Sequence, residues 1–423
     1  MSDEADTIDE GKITAQLETL GVSDDQVVAS RTVTMRPPTR VDDPASDSIL
    51  DRLPRLMDTG GGDTQPELRV KGTLGEGGTG LVELAEQVAL GREVAVKKVR
   101  GQSRSEEAPV VLLREGLTTG ILEHPNIVPV YTLGRDDDDE PVIVMKRIEG
   151  TSWLDIIENP ERAPAPFDYD DPIDLHIEIL SQVCNAIHYA HSRDIIHRDL
   201  KPENVMLGEF GEVYVLDWGI AVSLDPEASG RLTTVDEVDM PAGTPAYMAP
   251  EMAEVANERL GPRTDVYLLG AILHEVLTGE PPHEGDSVHA LMIDAYRSEP
   301  PTFPGDVPTE LAAICRRALA RDPDERFESA ETLREALTDY RRRSESRRLA
   351  GQGHARYEEL ESMLGREREG EQLDEPALYK VFGECRFAYE QALEVAEDNA
   401  DARSGLQRAL ELMADRELRR DAH

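Results

Sequence analysis

A chain of 423 residues exceeds what one small hydrophobic core absorbs, so several structural units joined by linkers are expected. A formal net charge of −41 sets most of the surface against phosphate backbones and anionic lipid, which argues against nucleic-acid or membrane partners. Cys184, Cys315 and Cys385 are odd in number and far apart in apolar or helical surroundings, so buried thiols are expected rather than a disulfide framework or a zinc ribbon. The start, MSDEADTIDE, has no apolar core, and the most apolar helical stretch, VYLLGAILHEVLTG, is short and carries His274 and Glu275; a soluble, cytoplasmic protein is expected.

Residues 1–67 are rich in Asp, Ser, Thr and Pro and read as an acidic disordered arm, with a short helix around TAQLETLG. Thr32 and Thr34 in SRTVTMRPP are candidate phosphorylation sites there, with a solvated linker as the favoured reading. From Leu68, apolar residues alternate with turn glycines over three strands, and NIVPVYTLG and EPVIVMKRI add two more across the acidic turn 136–140. A helical period runs through SEEAPVVLLREGLTTGILEH between the third and fourth strands. From Asp171 the pattern is mainly helical, with candidates at 171–192, 262–278, 287–297, 309–320 and 329–343. A β-rich lobe therefore precedes an α-rich one. Beyond Arg343, residues 344–376 read as a linker holding one amphipathic helix, HARYEELESMLG, and 377–420 as two antiparallel helices.

Four stretches could carry chemistry. LGEGGTGLV sets Gly75, Gly77 and Gly80 on a strand-to-strand turn, where backbone N–H groups can approach phosphate or where a hairpin simply turns. In EVAVKKV, Lys97 either snorkels to solvent or meets Glu115 on the following helix. IIHRDLKPENVML is too polar, between its apolar flanks, for an ordinary strand or helix. In VLDWGI, Asp217 is either a metal ligand or the polar edge of a core strand. His188 and His191 look like packing or polar surface residues rather than a metal pair.

Taken in order, these stretches resemble the eukaryotic-type (Hanks-type) Ser/Thr protein kinases, especially the bacterial ones, over about residues 68–343. The match includes the Gly-rich loop, VAVK, HRDLKPEN, DWG in place of the usual Asp-Phe-Gly, and GTPAYMAPE at 243–251. Asp265 in RTDVYLLG and Arg326 in RDPDERF fit two later structural positions. The resemblance implies an α+β bilobal fold, a small β-rich N-lobe and a larger α-helical C-lobe, followed here by an α-helical extension. That extension resembles a single tetratricopeptide-like hairpin, a unit that normally needs about three copies to share a core.

The resemblance also implies roles. Lys97, oriented by Glu115, would hold the α- and β-phosphates of ATP under the loop of Leu74, Gly75, Gly77, Gly78 and Gly80. Val82, Ala95 and Met206 would sandwich the adenine, and main-chain groups near Met145 would bond its edge. Asp199 would take or steer the acceptor proton, Lys201 would stabilise the γ-phosphate, and Asn204 and Asp217 would bind Mg²⁺, with Mn²⁺ as an alternative. Thr244 belongs to the substrate platform, and Glu251 would pair with Arg326 as a structural tie. Arg198 could clamp a phosphorylated activation segment, with Thr233 or Thr234, ahead of Ser229, as the autophosphorylated residue. Two departures stand out: Lys146 and Arg147 at the hinge, and Trp218, whose indole N–H needs an acceptor if buried.

The implied partners are Ser/Thr-bearing protein substrates, with a protein partner through the C-terminal hairpin and a homodimer left open. Two rivals are weighed. A catalytically weak signalling scaffold should lack one of Lys97, Asp199, Asn204 or Asp217, and all four are present. A small-molecule phosphotransferase should lack GTPAYMAPE.

Overall fold

The computed structural model describes residues 34–35, 48–56, 67–77, 80–99, 108–165, 171–369 and 371–421. It divides into two compact units, Met1–Arg334 and Glu335–His423. The TAQLETLG stretch and Gly78 lie outside the described residues.

The first unit opens with an antiparallel five-stranded sheet. Its strands are β1 (Leu68–Gly77), β2 (Gly80–Gln87), β3 (Arg92–Lys98), β4 (Val130–Arg135) and β5 (Pro141–Lys146), in the order β1-β2-β3-β5-β4. Alternation along β3 buries Val94 and Val96 on one face with Ala85, Val142 and Val144. The register sets Lys97 on the other face, opposite Val82 and Ile143. Helix α1 (Ala108–Ile121) packs on β4 and β5 and brings buried Glu115 to that face.

The arm before Glu67 is not disordered throughout. Leu56 donates its backbone N–H to the Arg135 carbonyl, Arg135 donates to that of Pro54, and the Leu56 side chain joins the core of the sheet. One buried leucine and a short run of backbone pairing outweigh the polar composition around them.

The rest of the unit is mainly helical. Strands β6 (Gly150–Ser152), β8 (Val205–Gly208) and β9 (Val213–Val215) form a small sheet, and β7 (Ile195–Ile196) pairs with β10 (Val222–Ser223). Helices α2 (Trp153–Glu158), α3 (Pro172–His191), α4 (Pro250–Glu254), α5 (Pro262–Thr278), α6 (Val288–Arg297) and α7 (Thr309–Ala318) surround them. Asp171 caps α3 by accepting from the Ile173 N–H, and Gly279 ends α5 in the left-handed conformation.

The second unit corrects the expected linker. Helix α8 (Ala330–Arg368) continues without a break, so most of 344–376 is helical. Helices α9 (Glu375–Val395) and α10 (Ala400–Asp421) run antiparallel, as the Tyr389–Gly405 contact and the Tyr379–Glu417 hydrogen bond require. Tyr389 is wedged between backbones: a Cβ on Gly353 of α8 would lie 2.9 Å from its ring, and one on Gly405 of α10 would lie 2.3 Å away. Arg416 of α10 reaches Glu367 of α8 with two bonds of 2.9 and 2.7 Å. The hairpin thus finds its third helix in α8 rather than in further repeats. Among the described residues, no helix is long and apolar enough to cross a membrane.

Candidate active site

A cavity of about 480 Å³ lies between the five-stranded sheet and the β8 region. Leu74, Gly75, Val82, Ala95, Met145 and Met206 line its apolar part, and Lys97, Glu115, Asn204 and Asp217 its polar end. The expected residues therefore converge. Gly77 and Gly80 pair across the β1–β2 turn at the end of this roof. Of the hinge departures, Lys146 lines the cavity and donates to the Tyr214 hydroxyl, which raises its pKa, while Arg147 pairs with Glu93 and Glu149.

Lys97 Nζ donates to Glu115 Oε1 at 2.5 Å and lies 3.4 Å from Asp217 Oδ1. The lysine is almost fully buried, which settles the snorkelling alternative: its charge is held inside by two carboxylates.

The HRDLKPEN stretch forms a loop between β7 and β8, tied together by its own polar groups. Asp199 donates its backbone N–H to His197 Nδ1, and His197 Nε2 bonds the Leu216 carbonyl at 3.1 Å, linking this loop to the residue before Asp217. Asn204 Nδ2 donates to the Asp199 carbonyl at 2.7 Å and to Asp199 Oδ2 at 3.2 Å. Asp265, at the start of α5, accepts the backbone N–H groups of His197 and Arg198 at 2.8 and 2.9 Å and meets His191 Nε2 at 2.8 Å. Burial opposes charge on Asp265, but the His191 bond and these donors outweigh it and hold the carboxyl below its ordinary range. His191 is thus an anchor for Asp265.

Arg198 and Asp217 both take positive φ, +67° and +55°, a conformation uncommon for side chains with a Cβ. Burial pushes the Arg198 guanidinium down to about 10 against the pull of Asp265 and Asp199. Among the described residues its Nε has no hydrogen-bond partner.

The acceptor side centres on Asp199. Thr244 donates to Asp199 Oδ1 at 2.6 Å, and Lys201 Nζ donates to Thr244 Oγ1 at 2.9 Å. A second hydroxyl, which sequence reasoning favoured as linker, also lies here: Thr34 Oγ1 donates to Asp199 Oδ2 at 3.1 Å and accepts from Lys201 at 2.7 Å. Nothing in the local pattern of SRTVTMRPP distinguishes it from a solvated segment, since its partners are over 160 residues away.

Further along, Thr233 is half-buried and its hydroxyl lies 3.3 Å from Arg114 NH1 of α1. Thr234 is buried, and its backbone N–H is bound by Glu237 in a capping box. Arg114 was missed because only its neighbour Glu115 carries a motif role. Glu251 and Arg326 form a fully buried bidentate pair at 2.7 and 2.8 Å, with Arg326 also donating to the carbonyls of Ala320, Arg263 and Arg321. Trp218 is 1% exposed against His197, and among the described residues its indole N–H finds no acceptor.

Residues 68–337 match the family described as protein kinase domain. The chain is similar to serine/threonine-protein kinase PknB of Mycolicibacterium smegmatis, 36% identical over 273 residues, 62% of this chain and 41% of that protein. It is also similar to serine/threonine-protein kinase PknD of Protochlamydia amoebophila, 33% identical over 291 residues, 63% of this chain and 29% of that protein. The match thus spans less than half the length of these relatives. With a family match over well over half of its residues and the two-lobed arrangement around one groove, the chain belongs to the protein kinase domain family.

Proposed function

We propose that the protein transfers the γ-phosphoryl group of ATP to Ser/Thr hydroxyls of proteins. The observation that carries this reading is the meeting of Asp199, Lys201 and Asn204 with the Lys97–Glu115–Asp217 set at one groove. Lys97 is held by Glu115 where the nucleotide's phosphates would lie, beneath the apolar roof of Val82 and Ala95. Asp199 accepts the proton of the incoming hydroxyl, and Lys201, 3.7 Å from that carboxylate, offsets charge on the transferred group. Asn204 and Asp217 offer oxygen donors suited to a hard cation, and would hold Mg²⁺. When bound, the ion supplies neutralisation of phosphate charge.

The reading extends to autophosphorylation at Thr233 in preference to Thr234. Thr233 is the less buried of the two and already faces Arg114, whereas Thr234 is occupied in its capping box. A phosphate there would gain charge-assisted bonds from Arg114.

The test is phosphoryl transfer from Mg-ATP to a generic basic protein. Asp199→Asn is expected to lower kcat by about 10³-fold, within the range for loss of a positioned general base, while ATP binding persists. Measurable ATP binding with no transfer by the wild type would favour the signalling scaffold instead.

A further inference from the structure

Thr34 makes three contacts that a solvated linker would not. Its hydroxyl donates to Asp199 Oδ2, accepts from Lys201 Nζ, and lies 3.1 Å from Thr244 Oγ1. The next residue is fixed by backbone. Met35 donates its N–H to the Gly243 carbonyl at 2.8 Å, and Gly243 donates back at 3.0 Å, an antiparallel bridge of the kind by which an extended peptide reads a backbone edge. Gly243 is suited to present that edge. Its φ is +121°, and a Cβ there would lie 2.7 Å from Met252 Cε and 3.0 Å from the Arg198 carbonyl. In a chain of net charge −41, Arg31 and Arg36 flank Thr34 in sequence, opposite in sign to the acids of the groove.

We propose that Thr34 is an intramolecular phosphoacceptor, presented to Asp199 by the Met35–Gly243 bridge, so that the arm is the enzyme's own first substrate; this rests on the kinase reading above. In the step, a bond forms between Thr34 Oγ1 and the γ-phosphorus of ATP. The bond from that phosphorus to the β–γ bridging oxygen breaks, its electron pair leaves with ADP, and the hydroxyl proton passes to Asp199. The product carries about −1.5 to −2 charge beside the Asp199 carboxylate, and this repulsion drives the modified arm out of the groove.

The test incubates the full chain with Mg-ATP and follows phosphate on Thr34 by mass spectrometry, beside transfer to a generic basic protein. Thr34 is expected to be modified with a rate constant unchanged over a hundredfold range of protein concentration, as an intramolecular reaction requires. Met35→Pro removes the N–H of the bridge, and is expected to slow Thr34 modification tenfold or more while transfer to the basic protein is as fast or faster. Thr34→Ser should be modified at that position, and Thr34→Ala should not. Transfer to the basic protein with Thr34 unmodified would overturn the proposal alone, as would a rate constant rising with protein concentration. Transfer to neither acceptor would overturn the kinase reading with it.

Discussion

The kinase unit and the C-terminal helical unit stabilise their interiors by different means. In the kinase unit, Lys97, Glu115, His197, Arg198, Asp199, Lys201, Asn204, Glu251, Asp265 and Arg326 are all buried. In the helical unit the buried polar side chains, among the described residues, are Ser346 and Arg416, and its core is built from Leu, Ala, Val, Met, Cys and Tyr. Buried ions rarely stabilise more than packed apolar groups of the same size. The first unit therefore gives up stability for a charged groove, and the second relies on shape, as the fit of Tyr389 between two glycine backbones illustrates. The difference teaches where each unit is fragile: the first to loss of one charge partner, the second to added volume.

The sharpest break is at the structural pair. Arg326→Met leaves the Glu251 carboxyl 1% exposed and without its bidentate partner, and should destabilise the kinase unit by about 3–5 kcal/mol. Urea denaturation read by fluorescence would check this; a near-neutral result would mean that the pair is replaceable by packing.

Next is a buried imidazole. Trp153 donates its indole N–H to His176 Nδ1 at 2.9 Å, and burial lowers the His176 pKa to about 4. An unfolded histidine titrates near 6.5, so the unfolded chain binds the extra proton first. Stability is then complete above that value and falls as pH drops toward 4, by about 3 kcal/mol at most from this group. His176→Gln keeps an acceptor for the indole and should give a shallower loss of stability between pH 6.5 and 4.5.

The smallest effect sharpens the contrast from the other side. Gly405→Val pushes carbon into the Tyr389 ring and should destabilise the helical unit by about 1–3 kcal/mol. Its melting temperature should fall, while Gly405→Ser should be milder.

Much of the kinase unit was legible because its signals are local. The five strands carry their alternation, Pro262–Thr278 carries an N-terminal proline and a terminal glycine, and HRDLKPEN is conspicuous as polar residues between apolar runs. What escaped depends on distant partners. Helix α8 passes through Gly351 and Gly353, residues that weaken a helix locally, yet the Tyr389 ring needs the space that Gly353 leaves. Leu56 is one leucine in a polar arm until the sheet core receives it. Thr34 is visible in sequence only as one hydroxyl in a polar arm, since its place is set by the distant Asp199, Lys201 and Thr244 and by the bridge between Met35 and Gly243.

Trp218 makes the groove optically addressable. The chain has two tryptophans, Trp153 in α2 and Trp218 beside Asp217, so Trp153→Phe leaves a single tryptophan, at the groove, to be excited apart from the tyrosines. That emitter packs on His197, the residue bonding both the Asp199 backbone and the Leu216 carbonyl, and its N–H is unsatisfied among the described residues. A buried donor without an acceptor costs about 1–3 kcal/mol, so the packed position is held by a reduced margin and solvent would reward the ring for leaving it. A red shift and quenching of that single emission band would then time the movement of the Asp217 segment directly, without any label.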